Sequence, residues 1–566
     1  MGDILFLVLR RLRAPLITII CVYAISVGGL VLIPGVDAAG KPETMGFFHA
    51  FYVMSYTATT IGFGELPNPF TDAQRLWVTF SIYLSVVAWA YALGSVFALT
   101  SNTTFRSMLA RGVFNWRARD IGEPFYLLCG YGQSGAALAR ALDRQGARLV
   151  VIEAREDKVE RMALDEFVTP PLALAADARL ADVLEDAGVR NPRCLALIAL
   201  AGDDGVNQAI AIGARVLNPE LPIVARAKSN DAELNLAAFE GVRVINPFET
   251  FAENLRLTLG APEVLQAEEW LTGAPGSACP ACIALPRRRW VLVGFGRFGH
   301  AISALLDDAG IPWKAFDPSV TDDDEKRLIR GAHAEHVLHD AGIEDADVLV
   351  AGAGIDAVNL GVTTLARRLN PGLFVIIRQN NARDRALIEA ARADIRFVQS
   401  ELVVHECLQI LTTPMLGRFI AMMRAGGADM ARAAMERVRA ASGEAAPLSW
   451  TFACDVMEPG MFAAFFQRAG EPLCLRHLLA DPTDPREPLA ATALLLERAG
   501  APRPLPAPET VLKPGDRVLF VGDDAARRLQ LRYLREPGTV AWVCSGREPP
   551  RSLVFRWWHE RRQGAA

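Results

Sequence analysis

Seven consecutive residues, Thr59-Thr60-Ile61-Gly62-Phe63-Gly64-Glu65, carry the most specific chemistry in the chain. Glycines at alternate positions permit backbone conformations that aim successive carbonyl oxygens to one side, which side chains elsewhere would hinder. Four such segments around an axis would stack rings of carbonyls able to replace the hydration shell of a monovalent cation, with the Thr60 hydroxyl closing the inner end. Ahead of them, Phe47 to Ala58 predicts an apolar helix of about three turns with Thr44 as its N-cap. That helix is too short to cross a bilayer. An apolar segment that dips into lipid and then unwinds is tolerated only where its backbone is buried in protein or lines a wet cavity.

A second pattern suits anions. Phe125 to Cys129 is an apolar strand running into Gly130-Tyr131-Gly132-Gln133-Ser134-Gly135, with an apolar-periodic helix from Ala136 to Gln145. A second strand, Arg148 to Ile152, ends at Glu153. Glycines at these offsets allow a tight turn and close approach of a pyrophosphate to a helix N-terminus, whose free N–H groups favour negative charge. Glu153, about 20 residues on, is placed to accept hydrogen bonds from a ribose diol. The unit recurs: Trp290 to Val293 leads into Gly294-Phe295-Gly296-Arg297-Phe298-Gly299, and then to Asp317. Gly130 to Gly294 and Glu153 to Asp317 are both 164 residues apart. Asn207, Asn218 and Arg226 return 152 residues later as Asn359, Asn370 and Arg378. A constant offset with one deletion is the mark of a duplicated α/β domain.

These motifs need elements to hold them. Ala14 to Pro34 and Leu76 to Thr100 are uncharged runs of 21 and 25 residues. At about 1.5 Å per residue they reach ~31 and ~37 Å as helices, enough for a hydrocarbon core of ~30 Å. The first run is long for the apolar part of a signal peptide. Arg10, Arg11 and Arg13 precede it, and Arg106, Arg111, Arg117 and Arg119 follow the second, whereas the loop between has only Lys41 and Arg75. Positive-inside bias puts both termini in the cytoplasm. Ile4 to Leu9 reads as a short amphipathic start along the inner interface. On the second helix, Ser85 takes the place of a hinge, with Gly94 further on.

The loop Thr60-Ile61-Gly62-Phe63-Gly64, with Thr59 and the helix before it, resembles the potassium-channel selectivity filter, usually Thr-Val-Gly-Tyr-Gly. Phe63 stands where the family has tyrosine and Glu65 where it has aspartate. Each α/β copy resembles a regulator-of-K⁺-conductance (RCK, or KTN) domain. That resemblance rests on the glycine turn, the acid ending the second strand, Asp177 or Asp340, and the Asn-rich helix before Asn-Pro. The whole resembles a two-transmembrane prokaryotic potassium channel with tandem RCK domains. It implies a homotetramer with an eight-domain cytoplasmic gating ring, K⁺ as the permeant ion, and gating by NAD(H) or an adenine nucleotide (ADP, ATP), with Ca²⁺ as a further ligand class. It also implies a multi-pass protein of the cell (inner) membrane.

The expected architecture is a membrane α-helical pore followed by two Rossmann-like α/β domains, the second with a small α+β C-terminal subdomain. In residues, 1–105 form the pore domain: spans 14–34 and 76–100, pore helix 46–58 and filter 59–65. A linker covers 106–124, the first RCK domain 125–285 without its C-terminal lobe, the second 286–445, its C-terminal subdomain 446–525, and a tail 526–566. Residues 416 to 450 read as an Ala/Arg-rich helix and Pro502 to Pro508 as a linker. Pro514-Gly515 suits a type II turn. Glu153 favours an unphosphorylated ribose, while Arg155 nearby could meet a 2′-phosphate.

Composition agrees. A mean hydropathy of +0.20 over 566 residues excludes disorder. A net charge of −5 argues against nucleic acid as a partner. Nine cysteines at irregular spacing are no disulfide framework. Cys279-Pro-Ala-Cys282, the His333, His336, His339, Asp340 group and Asp322 to Glu325 have metal or redox composition, but each reads as surface or insert, so no metal is assigned. Arg556, Arg561 and Arg562 belong to a tail without a role. Two rival readings are a nicotinamide-dependent oxidoreductase anchored in the membrane and an NAD-binding regulatory subunit of a K⁺ transporter. The enzyme would need a positioned acid or base, and no such constellation accompanies either glycine turn. The subunit would not need the Thr-Ile-Gly-Phe-Gly loop.

Overall fold

A computed structural model describes residues 2–37, 41–66, 68–101, 103–321, 327–331, 335–454, 473–533, 539 and 542–543. Asp322 to Glu325, His333 and the basic residues of the tail lie outside them. The chain divides into two compact units, one reaching to Gly122 with the short pieces 172–174 and 186–188, the other holding the rest.

The first unit is helical. Helix α1 spans Gly2–Leu32, so the segment expected to lie along the interface is continuous with the span, and Pro15 is accommodated inside it. A short hairpin of β1 (Pro34–Val36) and β2 (Pro42–Thr44) leads to α2 (Phe47–Ala58). Thr44 therefore sits in a strand; the N-cap of α2 is Gly46, without a side-chain cap. Helix α3 covers Asp72–Thr100 and α4 covers Thr103–Arg119. The expected linker is thus largely helical. Leu12–Leu32 and Asp72–Ala98 are long and apolar enough to cross a membrane. Only 28% and 17% of their most apolar windows are buried, the reverse of a soluble core helix. Gly29 lets α3 close on α1: a Cβ there would stand 2.1 Å from the Trp77 ring. Trp77 Nε1 donates to the Ser26 carbonyl at 2.9 Å. Val27, Leu30, Ala50, Val53, Met54, Tyr56 and Phe70 form the core behind the loop after α2.

The second unit opens with β3 (Phe125–Cys129), α5 (Gln133–Arg144), β4 (Arg148–Glu153), α6 (Glu156–Met162), β5 (Leu172–Ala175) and α7 (Ala181–Asp186). It continues through β6 (Cys194–Ala199), α8 (Asp204–Leu217), β7 (Ile223–Arg226), α9 (Asn230–Ala237) and β8 (Val242–Ile245). The strands form a parallel sheet in the order β5-β4-β3-β6-β7-β8. Strand β3 is buried along its whole length, which is why it reads as an unbroken apolar run. Helices α10 (Pro247–Gly260) and α11 (Pro262–Thr272) follow.

The pattern then repeats as β9 (Trp290–Val293), α12 (Arg297–Asp308), β10 (Trp313–Asp317), β11 (Leu328–Arg330) and α13 (Glu335–Ala341). After these come β12 (Val348–Ala351), α14 (Asp356–Leu369), β13 (Phe374–Gln379), α15 (Arg385–Ala390) and β14 (Ile395–Val398), with sheet order β11-β10-β9-β12-β13-β14. The two orders are the same. Among the described residues, helices α10 and α11 and a connection without a sheet lie between β8 and β9.

Two long helices close the second copy, α16 (Gln399–Thr412) and α17 (Pro414–Ser442), the latter broken at Gly427 where φ is +67°. The expected helix to 450 thus stops at Ser442. Strands β15 (Leu448–Ala453), β16 (Ala491–Arg498), β17 (Ala501–Pro504) and β18 (Arg517–Gly522) form an antiparallel sheet ordered β15-β18-β16-β17. Part of the expected linker at 502–508 is therefore strand β17. Its prolines are tolerated because it is the sheet edge.

The first domain's α10 reaches into the second domain's core: Phe251 lies 4.6 Å from Phe397, which stacks on Phe298 at 4.9 Å. Helices α11 and α17 share another core around Trp270, Phe419 and Met423. Beside it, Arg424 grips buried Glu268 bidentately, 2.8 Å from each oxygen. Removing one partner of such a pair strands the other's charge and costs about 3–5 kcal/mol. Arg424→Ala should therefore lower the thermal midpoint of the purified chain well below that of an exposed control such as Arg486→Ala. Equal midpoints would show that the pair carries no stability.

Candidate functional site

Helix α2 aims its C-terminus into the loop that holds the glycines. The amides after it turn back on the helix: Thr59 N–H donates to the Ser55 carbonyl, Thr60 N–H to Thr57, and Ile61 and Gly62 N–H both to Tyr56, at 2.9 and 3.3 Å. Positive φ falls on Thr60 (+62°), Gly62 (+64°) and Gly64 (+96°), every second residue. This alternation gives successive peptides opposite hands, so their carbonyls can face a common side. A β-branched residue at positive φ is strained, and such strain gathers at functional sites. Thr59, Thr60, Ile61, Gly62, Phe63 and Gly64 follow one another in the loop after α2, and the Gly64 carbonyl accepts from the Tyr56 hydroxyl at 2.5 Å.

The glycine turns sit at the carboxyl ends of β3 and β9, beside the point where each sheet's strand order reverses, the usual ligand crevice of an open α/β sheet. Gly130 and Gly294 take φ of +102° and +87° to make the turn. Gly135 and Gly299 let helix meet strand, since a Cβ on either would come within 2.1 or 2.5 Å of the carbonyl of Gly130 or Gly294. Gly132 and Gly296 face open space and cap α5 and α12 with no side-chain acceptor. The first amides of both helices are left without a side-chain cap and with room in front of them. An anionic phosphate group fits that cradle.

The two acids bond to the turns themselves. Tyr131 N–H donates to Glu153 Oε2 at 2.6 Å, and Phe295 N–H to Asp317 Oδ2 at 2.8 Å. Each carboxylate thus braces its own glycine turn. Glu153 is buried and also takes Arg155 N–H and Lys158 Nζ, at 3.1 and 3.3 Å. Asp317 accepts instead from Ser319, through its N–H at 2.8 Å and its hydroxyl at 2.5 Å. Gln133 and Arg297 open the two helices. Ser134 lies 3.4 Å from the Arg226 guanidinium, which is buried and hydrogen-bonded to the Ala201 carbonyl at 2.6 Å. Phe298 is buried in the second domain's core, so it packs and does not face a ligand.

Residues 126–247 and 290–398 match the model of the TrkA-N domain. Each α/β copy is thus similar to a TrkA-N domain. Potassium channel protein 1 of Methanocaldococcus jannaschii is 28% identical over 207 residues, 36% of this chain and 60% of that one. Probable potassium channel protein 2 of the same organism is 25% identical over 233 residues, 41% of this chain and 63% of that one. An uncharacterized protein of Methanothermus fervidus is 29% identical over 230 residues, 40% of this chain and 34% of that one. The chain thus spans less than two thirds of each of these relatives. Among solved structures, the GsuK channel bound to NAD is 17% identical with a TM-score of 0.44, over 95% of this chain and 100% of that one.

Within the two α/β copies one assignment changes. Asp177 follows β5 at the crevice end of the first sheet, where Arg179 grips it from 2.6 Å and holds its carboxyl below the usual range. Asp340 lies in the last turn of α13, and its carbonyl receives Lys314 from the start of β10. That is the opposite end of the second sheet, so Asp340 is not the counterpart of Asp177 and belongs to no crevice. The repeat misleads here because the second copy is shorter between β10 and α13, which shifts the register of the acids.

Arg155 is committed elsewhere as well. It holds Asp157 through two bonds of 2.8 and 2.9 Å, and with Arg161 it keeps that carboxyl down at about 2. Asn207 and Asn359 are fully buried and tie the loop after β6 or β12 to the end of β7 or β13 by the same three bonds, between 2.7 and 3.1 Å. Their recurrence marked the repeat; their role as crevice struts needed the structure. His339 pairs with Glu344, and Cys279 and Cys282 are free thiols.

Proposed function

We propose that this protein is a potassium-selective channel whose gate is biased by a nucleotide bound to its TrkA-N domains. The observation that carries the reading is the alternating-φ ribbon of Thr60 to Gly64 after a short helix, lying between two helices long enough to span a bilayer. Four copies around an axis complete the cation path, with both termini on the cytoplasmic side. The uncapped glycine turns of the α/β domains supply the ligand site, and NAD(H) or an adenine nucleotide suits them. With Arg155 held by Asp157, the reading leaves Glu153 to meet a ribose diol in the first domain, which favours a nucleotide without a 2′-phosphate. The potassium-channel names of the two methanogen relatives point the same way.

A ligand moves a gate only by its difference in affinity for the two shapes, and a shift from 1:99 to 99:1 takes about 5.5 kcal/mol in all. Eight domains in a ring would divide that amount. Helix α4, between the second span and β3, is the element through which domain movement would pull on the pore. The test is K⁺ flux through reconstituted protein with and without NAD⁺, NADH and ADP. Flux that responds to one of them is expected; no K⁺ flux under any condition would overturn the channel reading. Glu153→Ala should weaken nucleotide binding about tenfold, the worth of a hydrogen bond to a charged group. Unchanged affinity by titration calorimetry would remove the ribose assignment.

A further inference from the structure

Behind the ribbon, a single residue holds it at its middle and at its outer end. The Tyr56 carbonyl receives the amides of Ile61 and Gly62, while its hydroxyl donates to the Gly64 carbonyl at 2.5 Å. The ring is buried, with its edge toward Phe63 at 5.5 Å and Tyr52 at 5.3 Å, and Tyr52 stacks on Phe63. Phe63 has no hydroxyl of its own to offer. One residue past Gly64, the Glu65 carboxylate is fixed by Arg75, Nε to Oε1 at 2.8 Å and Nη2 to Oε2 at 3.1 Å, and by the Phe70 N–H at 2.9 Å. A carbonyl that accepts from Tyr56 has one of its two lone pairs committed to the helix side.

We propose that Tyr56 and the Arg75–Glu65 pair form a clamp within each chain that holds the outer end of the filter and withdraws the Gly64 carbonyl from the ion path. The proposal rests on reading residues 59 to 64 as a filter. It makes Tyr56 a positioning residue: the pore helix supplies from behind the hydroxyl that Phe63 lacks. Cation-coordinating carbonyls are then those of Thr60, Ile61, Gly62 and Phe63, and the outermost ring is absent.

Glu65 adds a pH signature. Its hydrogen bonds with Arg75 and Phe70 lower its carboxyl from 4.5 to about 2. Asp72, 3.4 Å from Arg75, is the other charge facing the pair. Because the folded value is depressed, the clamp is present above about 4.5 and is lost only as pH falls through about 2.

The experiment records wild type first: without K⁺ current there, the channel reading fails and the clamp is void with it. With wild-type current present, Tyr56→Phe keeps the ring and deletes one hydrogen bond. It should lower the K⁺/Na⁺ permeability ratio roughly fivefold, while nucleotide affinity stays unchanged. A ratio equal to wild type would overturn the clamp. If Tyr56→Phe does not assemble, Arg75→Gln decides. Wild-type current should stay level as external pH drops from 7 to 3, and the variant's should fall within that range, because Glu65 loses the Arg75 bond that lowers it most and keeps only the Phe70 N–H. A level profile in Arg75→Gln would overturn the proposal.

Discussion

Gly62→Ala should abolish K⁺ flux, at least a hundredfold below wild type in proteoliposomes, while nucleotide binding stays intact. Nothing lies within 4 Å of a Cβ at this position, so crowding inside the chain is not the reason. The cause is φ of +64°, where an L-residue costs about 1–2 kcal/mol. Thr60 already carries one such strain at +62°, two residues earlier, and a second would leave the ribbon no relaxed position between them. The cheapest escape is to rotate the peptide, which puts an N–H where a cation needs an oxygen. Four chains around the axis would repeat the cost, and every 1.4 kcal/mol is a factor of ten. The nucleotide sites belong to the other unit and should not notice. Undiminished K⁺ flux in Gly62→Ala would mean that these carbonyls do not line the path.

Gly135→Ala carries the second large effect. The new methyl would lie 2.1 Å from the Gly130 carbonyl, a backbone atom that cannot swing aside like a flexible side chain. Relief requires α5 to move off β3. That movement opens the turn, pulls Tyr131 N–H from Glu153 and spoils the cradle at the helix start. Nucleotide affinity of the first domain should fall at least thirtyfold, and the thermal midpoint should drop with it. Gly299→Ala is the matched variant in the second domain, with a methyl 2.5 Å from the Gly294 carbonyl. Comparing the two by titration calorimetry separates the domains: a nucleotide held only in the first is lost in Gly135→Ala and kept in Gly299→Ala. Full affinity in both variants would show that neither glycine turn holds it.

Much of this was legible in the residues because the requirements are local. A turn that needs positive φ selects glycine at one position, and spans declare themselves by length and lack of charge. The duplication needed only a constant offset. Where the reading went astray, the cause was always distance along the chain or the order of a sheet. The segment around Pro502 resembles a linker because proline cannot serve a ladder on both sides, yet it pairs with β16 as an edge strand. Thr44 resembles a cap, but pairing with Pro34 draws it into a hairpin and leaves Gly46 to start the helix. Asp340 reads as the partner of Asp177 until β11 and α13 set its end of the sheet.

From sequence alone followed the two long apolar helices, the short helix, the glycine loop after it and the paired glycine turns, each a property of a few neighbouring residues. Only the tertiary structure decided what braces them: Tyr56 against Gly64, Arg75 against Glu65, Glu153 and Asp317 under their turns, and Asn207 and Asn359 between loops. Those contacts join residues whose side-chain directions depend on how helices pack and strands register. No spacing rule along a chain encodes that until the core has closed.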